Sequence, residues 1–275
     1  MSEERVHPFQ SHPVLFFYLL AFLISWLGWV PQALHAYGLF PFDHPLLSFL
    51  GGAGPTLAAV AVIWTLEGRD GPRKLFAPLF QWRVSWGWYG FVLLYWFVIA
   101  AAALGIGALG GQPFPDLDGF AWATLPGVLL TMLLSNLWEE VGWRGFALPR
   151  LQGRHTELAI GLFTGLAWSL WHLPLMLNPD SPLSGLPWAW EVVFSLALTV
   201  IYIWLYNGTG GSLLPVTLFH ALSNTAAYIL LALSAFCSTY PLVVSLNAAA
   251  AAAIVLYYGP RCFGRTFQIP CLDQD

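Results

Sequence analysis

Residues 121–149 read AWATLPGVLLTMLLSNLWEEVGWRGFALP. The run is apolar and long enough to cross a bilayer, which takes about 20 mainly apolar residues. Yet it carries Glu139, Glu140 and Arg144 near its end. Charged groups inside a membrane helix are costly and normally face the interior of a bundle, where they serve a function. This stretch therefore announces both a membrane fold and a buried polar site.

The rest of the chain agrees. Of 275 residues 58% are hydrophobic and only 9% charged, with a mean hydropathy of +0.67. A soluble domain carries about 25% charged residues, so this chain cannot cover a water-facing surface. The formal net charge of -4 comes without a basic patch, which argues against nucleic acid as a partner. Apolar runs near 14–36, 45–66, 86–109, 121–149, 157–177, 188–206, 212–235 and 241–258 predict an all-α, polytopic bundle of about eight transmembrane helices. The first run is read as a retained span, since no small-residue cleavage site follows it. Residues 1–275 are expected to form a single integral-membrane domain, with no soluble domain or internal repeat.

The loops give the orientation. Arg5, Arg69, Arg73, Lys74, Arg83, Arg150, Arg154, Arg261 and Arg265 precede span 1 or follow even-numbered spans, whereas the other loops hold Asp43, Asp116, Asp118 and Asp180 and no Lys or Arg. Every basic residue but Arg144 thus falls on one side. The positive-inside rule puts that side, and both termini, in the cytoplasm. The location implied is a multi-pass protein of the cytoplasmic membrane, if the source is bacterial. Trp82, Trp86, Trp88, Trp188, Trp190, Tyr257 and Tyr258 lie near span ends, as interfacial aromatic belts do. Cys237, Cys262 and Cys271 have no metal-ligand spacing and read as free thiols.

Three spans carry polar groups that lipid would not tolerate. In span 4, successive helical residues lie about 100° apart, so Glu139 and Glu140 point to different faces. Glu140 and Arg144 are four apart and are expected to pair, neutralising each other. That leaves Glu139 as the free carboxylate. In span 5, Trp168-Ser169-Leu170-Trp171-His172-Leu173-Pro174 places a histidine just before a proline that loosens the helix. In span 7, His220 and Asn224 share a face. At about 1.5 Å per residue, Glu139, His172, His220 and Asn224 lie about 12–22 Å from the cytoplasmic ends of their spans. They are expected to meet in one cavity at mid-membrane depth.

A buried carboxylate beside an imidazole can hold and deprotonate water. A second His and an Asn can donate hydrogen bonds to an oxyanion. That set suits peptide hydrolysis without a covalent intermediate. The same Glu139, His172 and His220 can also be read as a His₂Glu ligand set for Zn²⁺ with an open water position; the chain carries no His-Glu-x-x-His pair, and both readings stay open. A proton-coupled transporter and a non-catalytic membrane scaffold or immunity protein are the competing classes. The transporter lacks support from an inverted repeat.

Glu-Glu-x-x-x-Arg at 139–144, aromatic-x-x-x-His at 168–172 and His-x-x-x-Asn at 220–224 together resemble the three motifs of the intramembrane CAAX-protease and bacteriocin-processing family, which includes the type II CAAX prenyl endopeptidases. Order and spacing match over about residues 122–235, and Gly-x-Gly-Pro at 52–55 is similar to the second span of such proteins. The resemblance implies an eight-helix intramembrane endopeptidase. It implies catalytic roles for Glu139 and His172 on the water and for His220 and Asn224 at the oxyanion, with Glu140 and Arg144 as structural supports. It implies a membrane-associated or lipidated peptide or protein substrate, and either a Zn²⁺ or a metal-free glutamate mechanism. Trp168 departs from the Phe that many members carry.

Overall fold

The computed structural model describes residues 11–264. Arg5, Arg265 and Cys271, which entered the sequence reading, lie outside the described residues. The described chain is an all-α bundle. Its long helices are α1 (Pro13–Ala36), α2 (Pro45–Glu67), α4 (Trp86–Leu109), α5 (Leu125–Glu140), α7 (Glu157–Trp171), α9 (Trp188–Gly208), α10 (Leu213–Ala232) and α11 (Phe236–Tyr258). Short helices α3 (Asp70–Phe76), α6 (Leu148–Gln152) and α8 (Leu173–Met176) complete it. Each expected span coincides with one long helix. Six of these, α1, α2, α4, α9, α10 and α11, are by themselves long and apolar enough to cross a membrane.

The two exceptions are the helices that carry the acidic motif and the first histidine. α5 begins at Leu125, because residues 122–124 form a tight 3₁₀ turn. It then passes into a π-helical stretch, Val141–Ala147, before α6. π-Turns inside helices are frequently found at functional sites. Gly142 and Gly145 let neighbours approach this stretch: a Cβ on Gly142 would lie 2.5 Å from the Pro55 backbone, and one on Gly145 3.0 Å from Leu213. α7 stops at Trp171 rather than running to 177. Pro174 has no N–H to offer the Leu170 carbonyl, so the regular helix ends at His172.

The bundle keeps its charged groups within an otherwise apolar interior and turns apolar side chains outward, the arrangement of a multi-pass integral membrane protein. Leu15, Leu19, Leu23 and Leu27 form an exposed stripe on α1, each more than half exposed. Glu139, Glu140, Arg144, Glu157, Glu191 and His220 are buried. A bilayer solvates the leucines, and only the bundle interior can solvate the charges.

The helix ends alternate as the loop charges require. At one end Glu67 of α2 pairs with Lys74 at 2.8 Å and with Arg150 of α6 at 3.8 Å. At the same end of α7 and α9, the Glu157 carboxylate accepts from Gln152 and Asn207, at 3.0 and 2.7 Å, and from the Phe263 backbone N–H. One cysteine expectation is corrected: Cys262 is disulfide-bonded rather than a free thiol. Pairing depends on Cβ proximity, which sequence spacing does not reveal. Cys237 is free and exposed, as expected.

Candidate active site

The site is built where α5, α7, α9 and α10 converge, with α2 braced behind α5. Thr56 donates its hydroxyl to the Trp138 carbonyl, tying α2 to the turn that presents the two glutamates. Pro55 seats against Gly142 one turn on. The Gly-x-Gly-Pro segment thereby gains a physical role: Gly54 lets α2 lie against Ser25 of α1, and Pro55 backs the π-helical stretch.

Glu140 and Arg144 form the buried ion pair, with Arg144 Nη1 donating to Glu140 Oε1 at 2.9 Å and both side chains at or below 2% exposure. The guanidinium also lies 4.0 Å over the Tyr202 ring and 5.1 Å from the Trp168 ring centre. Glu140 has a second partner: His220 Nδ1 donates to the same Oε1 at 2.7 Å. The supporting carboxylate therefore fixes a histidine as well as an arginine. With Nδ1 committed, the chemistry left to His220 is at Nε2.

Glu139 points away from this pair, as its helical position requires, and accepts a 3.0 Å hydrogen bond at Oε2 from the Trp168 indole N–H. The carbonyl of the same Trp168 accepts at 3.0 Å from His172 Nδ1. A backbone carbonyl can only accept, so Nδ1 carries the proton and Nε2 keeps its lone pair. Trp168 is thus the hub, bonded to both Glu139 and His172, and its ring meets the His220 ring edge-on at 5.5 Å. Trp29 stacks at 6.3 Å over the other side of His172.

Asn224 donates from Nδ2 to Asn136 Oδ1 at 2.8 Å, while Asn136 Nδ2 donates to the Met132 carbonyl at 2.7 Å. That second bond fixes which way the Asn136 amide faces, and through it the Asn224 amide. One Nδ2 hydrogen of Asn224 remains for another acceptor. Trp168 links Glu139, His172 and His220, while Asn224 is held separately through Asn136. A mainly apolar cavity between α4, α9, α10 and α11 is lined by Asn224, Ser223, Glu191 and Tyr240 and not by Glu139, His172 or His220.

Sequence reading missed Asn136, Glu191, Tyr202 and Tyr240. Asn136 was within reach, lying three residues before Glu139 and four before Glu140 on one helix. Glu191 was too, as a carboxylate at the start of an apolar span. The two tyrosines carried no signal beyond being aromatic. As a metal centre the set fits poorly. Among the described residues no group of three or more His, Cys, Asp or Glu side chains converges as metal ligands do.

Comparison with known proteins places this geometry. Residues 121–226 match the family model described as type II CAAX prenyl endopeptidase, Rce1-like. The match contains α5, the π-helical stretch, α7 and α9, and most of α10, and so all the residues just described except Tyr240 and those of α1 and α2. The chain is also 25% identical over 239 residues to CAAX prenyl protease 2 of Methanococcus maripaludis, covering 80% of this chain and 85% of that protein. The glutamates, the two histidines and the asparagine of this membrane bundle all lie within the region that is similar to the Rce1-like, type II CAAX prenyl endopeptidase model.

Proposed function

We propose that the protein is an intramembrane CAAX-protease-like endopeptidase, acting on membrane-associated or lipidated protein tails and hydrolysing a peptide bond with water activated by Glu139 and His172. The observation that carries this reading is the bridge through Trp168, which bonds Glu139 through its indole and His172 through its carbonyl. It puts a carboxylate and an imidazole with a free Nε2 on either side of one residue. The relative's name supplies the substrate class, a CAAX tail.

In the reaction, a water donates one hydrogen bond to His172 Nε2 and gives its other proton to the Glu139 carboxylate. The hydroxide lone pair forms a bond to the peptide carbonyl carbon, and the C=O π pair moves onto the carbonyl oxygen. Asn224 donates its free Nδ2 hydrogen to that oxyanion. His220 donates from Nε2 as an imidazolium, which the Glu140 carboxylate at Nδ1 stabilises. Collapse of the tetrahedral intermediate breaks the C–N bond, and the proton held by Glu139 goes to the leaving amine. No step uses a metal.

The test is cleavage of an internally quenched, farnesylated CAAX-tail peptide by purified protein in lipid nanodiscs. Glu139→Ala and His172→Ala are expected to lose at least about a hundredfold in kcat while retaining the wild-type melting profile. Retained activity in either variant overturns the assignment. Chelator treatment is expected to leave activity unchanged. A loss that added Zn²⁺ restores would replace the glutamate-only water with a metal-bound one.

A further inference from the structure

Glu191 is a buried acid for which the proposed mechanism has no use. It lies in the first turn of α9 and is 5% exposed. A carboxylate in a membrane bundle is retained against a large desolvation cost, so its partners define its purpose. Ser195 donates to Oε1 at 2.9 Å from the next turn of α9. Tyr240 of α11 donates its phenol to Oε2 at 2.9 Å. Both are neutral. The cationic or cation-capable group facing it is His172, whose Nδ1 lies 3.7 Å from Oε1. The rest of the His172 ring is walled by Trp29, Trp168 and Trp171.

We propose that Glu191, held by Ser195 and Tyr240, is the positioning carboxylate of His172, fixing the ring so that Nε2 faces the catalytic water. The role rests on His172 acting at that water, as in the proposed function. It adds a fourth helix, α9, to the catalytic machinery, and a fifth, α11, through Tyr240. The geometry is a histidine whose Nδ1 proton sits between a backbone carbonyl at 3.0 Å and a carboxylate at 3.7 Å. Such outer partners select the tautomer and the orientation of an active imidazole. The carbonyl alone fixes the Nδ1 proton. The carboxylate adds a charge that favours that proton and any positive charge the ring gains as water is deprotonated. Glu191 also lines the apolar cavity beside Asn224, so a contact with substrate is the rival role, and the two separate in kinetics.

The experiment compares wild type, Glu191→Gln and Tyr240→Phe as full-length protein in nanodiscs, with the quenched farnesylated peptide as probe. Glu191→Gln is nearly isosteric, so the fold is retained; Tyr240→Phe leaves Glu191 in place but frees its outer oxygen. The expected result is a fall in kcat of about tenfold to a hundredfold for Glu191→Gln, with KM within twofold, and a smaller fall for Tyr240→Phe. In parallel, ¹⁵N spectra of histidine-labelled protein, with His172 assigned by its loss in His172→Ala, are expected to show a protonated Nδ1 in wild type that shifts in Glu191→Gln. That readout needs no turnover: if wild type cleaves no probe peptide but the Nδ1 shift responds, the proteolytic reading fails and the pairing of Glu191 with His172 stands. Wild-type kcat in Glu191→Gln, a change in KM alone, or an unmoved Nδ1 resonance each overturns the positioning role, whether or not the protein proves to be a protease.

Discussion

At the scale of single residues, Trp168 separates this chain from relatives with phenylalanine at the motif position. A phenylalanine would keep the aromatic packing against Arg144 and His220 but could not donate to Glu139. In this chain the indole N–H satisfies Glu139 Oε2, and a hydrogen bond to a charged group is worth about 1.5–3 kcal/mol. Trp168→Phe is therefore expected to lower kcat about tenfold or more and to lower the melting temperature as well, since a buried carboxylate oxygen loses its donor and the smaller ring leaves a void; an unchanged kcat would show that the indole bond is incidental. The carboxylate division of labour follows the helical arithmetic of Glu139, Glu140 and Arg144. The His220 bond to Glu140 does not follow from it, because partners eighty residues apart are brought together by packing alone.

At the scale of elements, the contact of α2 with the π-helical stretch is the joint on which the site depends. Gly142 has no room for a side chain, since its Cβ would meet the Pro55 carbonyl carbon and oxygen at 2.5 Å. These are backbone atoms of a proline, which cannot turn aside. Overpacking a close contact of this kind costs about 1–3 kcal/mol. Gly142→Ala is expected to lower the thermal midpoint in nanodiscs and to reduce activity, because Glu139, Glu140 and Arg144 ride on the same turn. Gly52→Ala, one turn back on α2 with open space around its Cβ, serves as the control and should melt like wild type. Equal melting of the two variants would remove the joint from the account. The sequence reading extended regular helix through 121–149. It could not have found the π-turn, since what holds that turn is the fit of two glycines against Pro55 and Leu213.

At the scale of the whole molecule, charge is sorted twice. The loops sort basic residues to one end, where Glu67, Lys74 and Arg150 meet. The bundle sorts Glu139, Glu140, Glu157, Glu191 and His220 to its interior. The positive-inside rule assigns the basic end to the cytoplasm, and Cys237, free and exposed near the start of α11, marks the opposite end. In intact cells Cys237 is expected to react with a membrane-impermeant maleimide, with Cys237→Ser as control. A cysteine at position 154, introduced as Arg154→Cys in the Cys237→Ser background, is expected to react only after lysis. The reverse pattern would invert the topology.

Hydropathy and loop charge determined the membrane class, the helix boundaries to within a few residues outside the two helices that carry Glu139 and His172, and the alternation of ends, because the bilayer acts on each segment independently and leaves its mark in local composition. Motif spacing singled out Glu139, Glu140, Arg144, His172, His220 and Asn224 for the same reason: ionisable groups in an apolar span are conspicuous wherever they stand. Tertiary structure alone decided who bonds to whom. The indole of Trp168 on Glu139, the hold of Glu140 on His220, the Asn136–Asn224 pair and the placing of Glu191 beside His172 all join different helices, and such partners are selected by helix packing, which leaves no periodic trace in the chain.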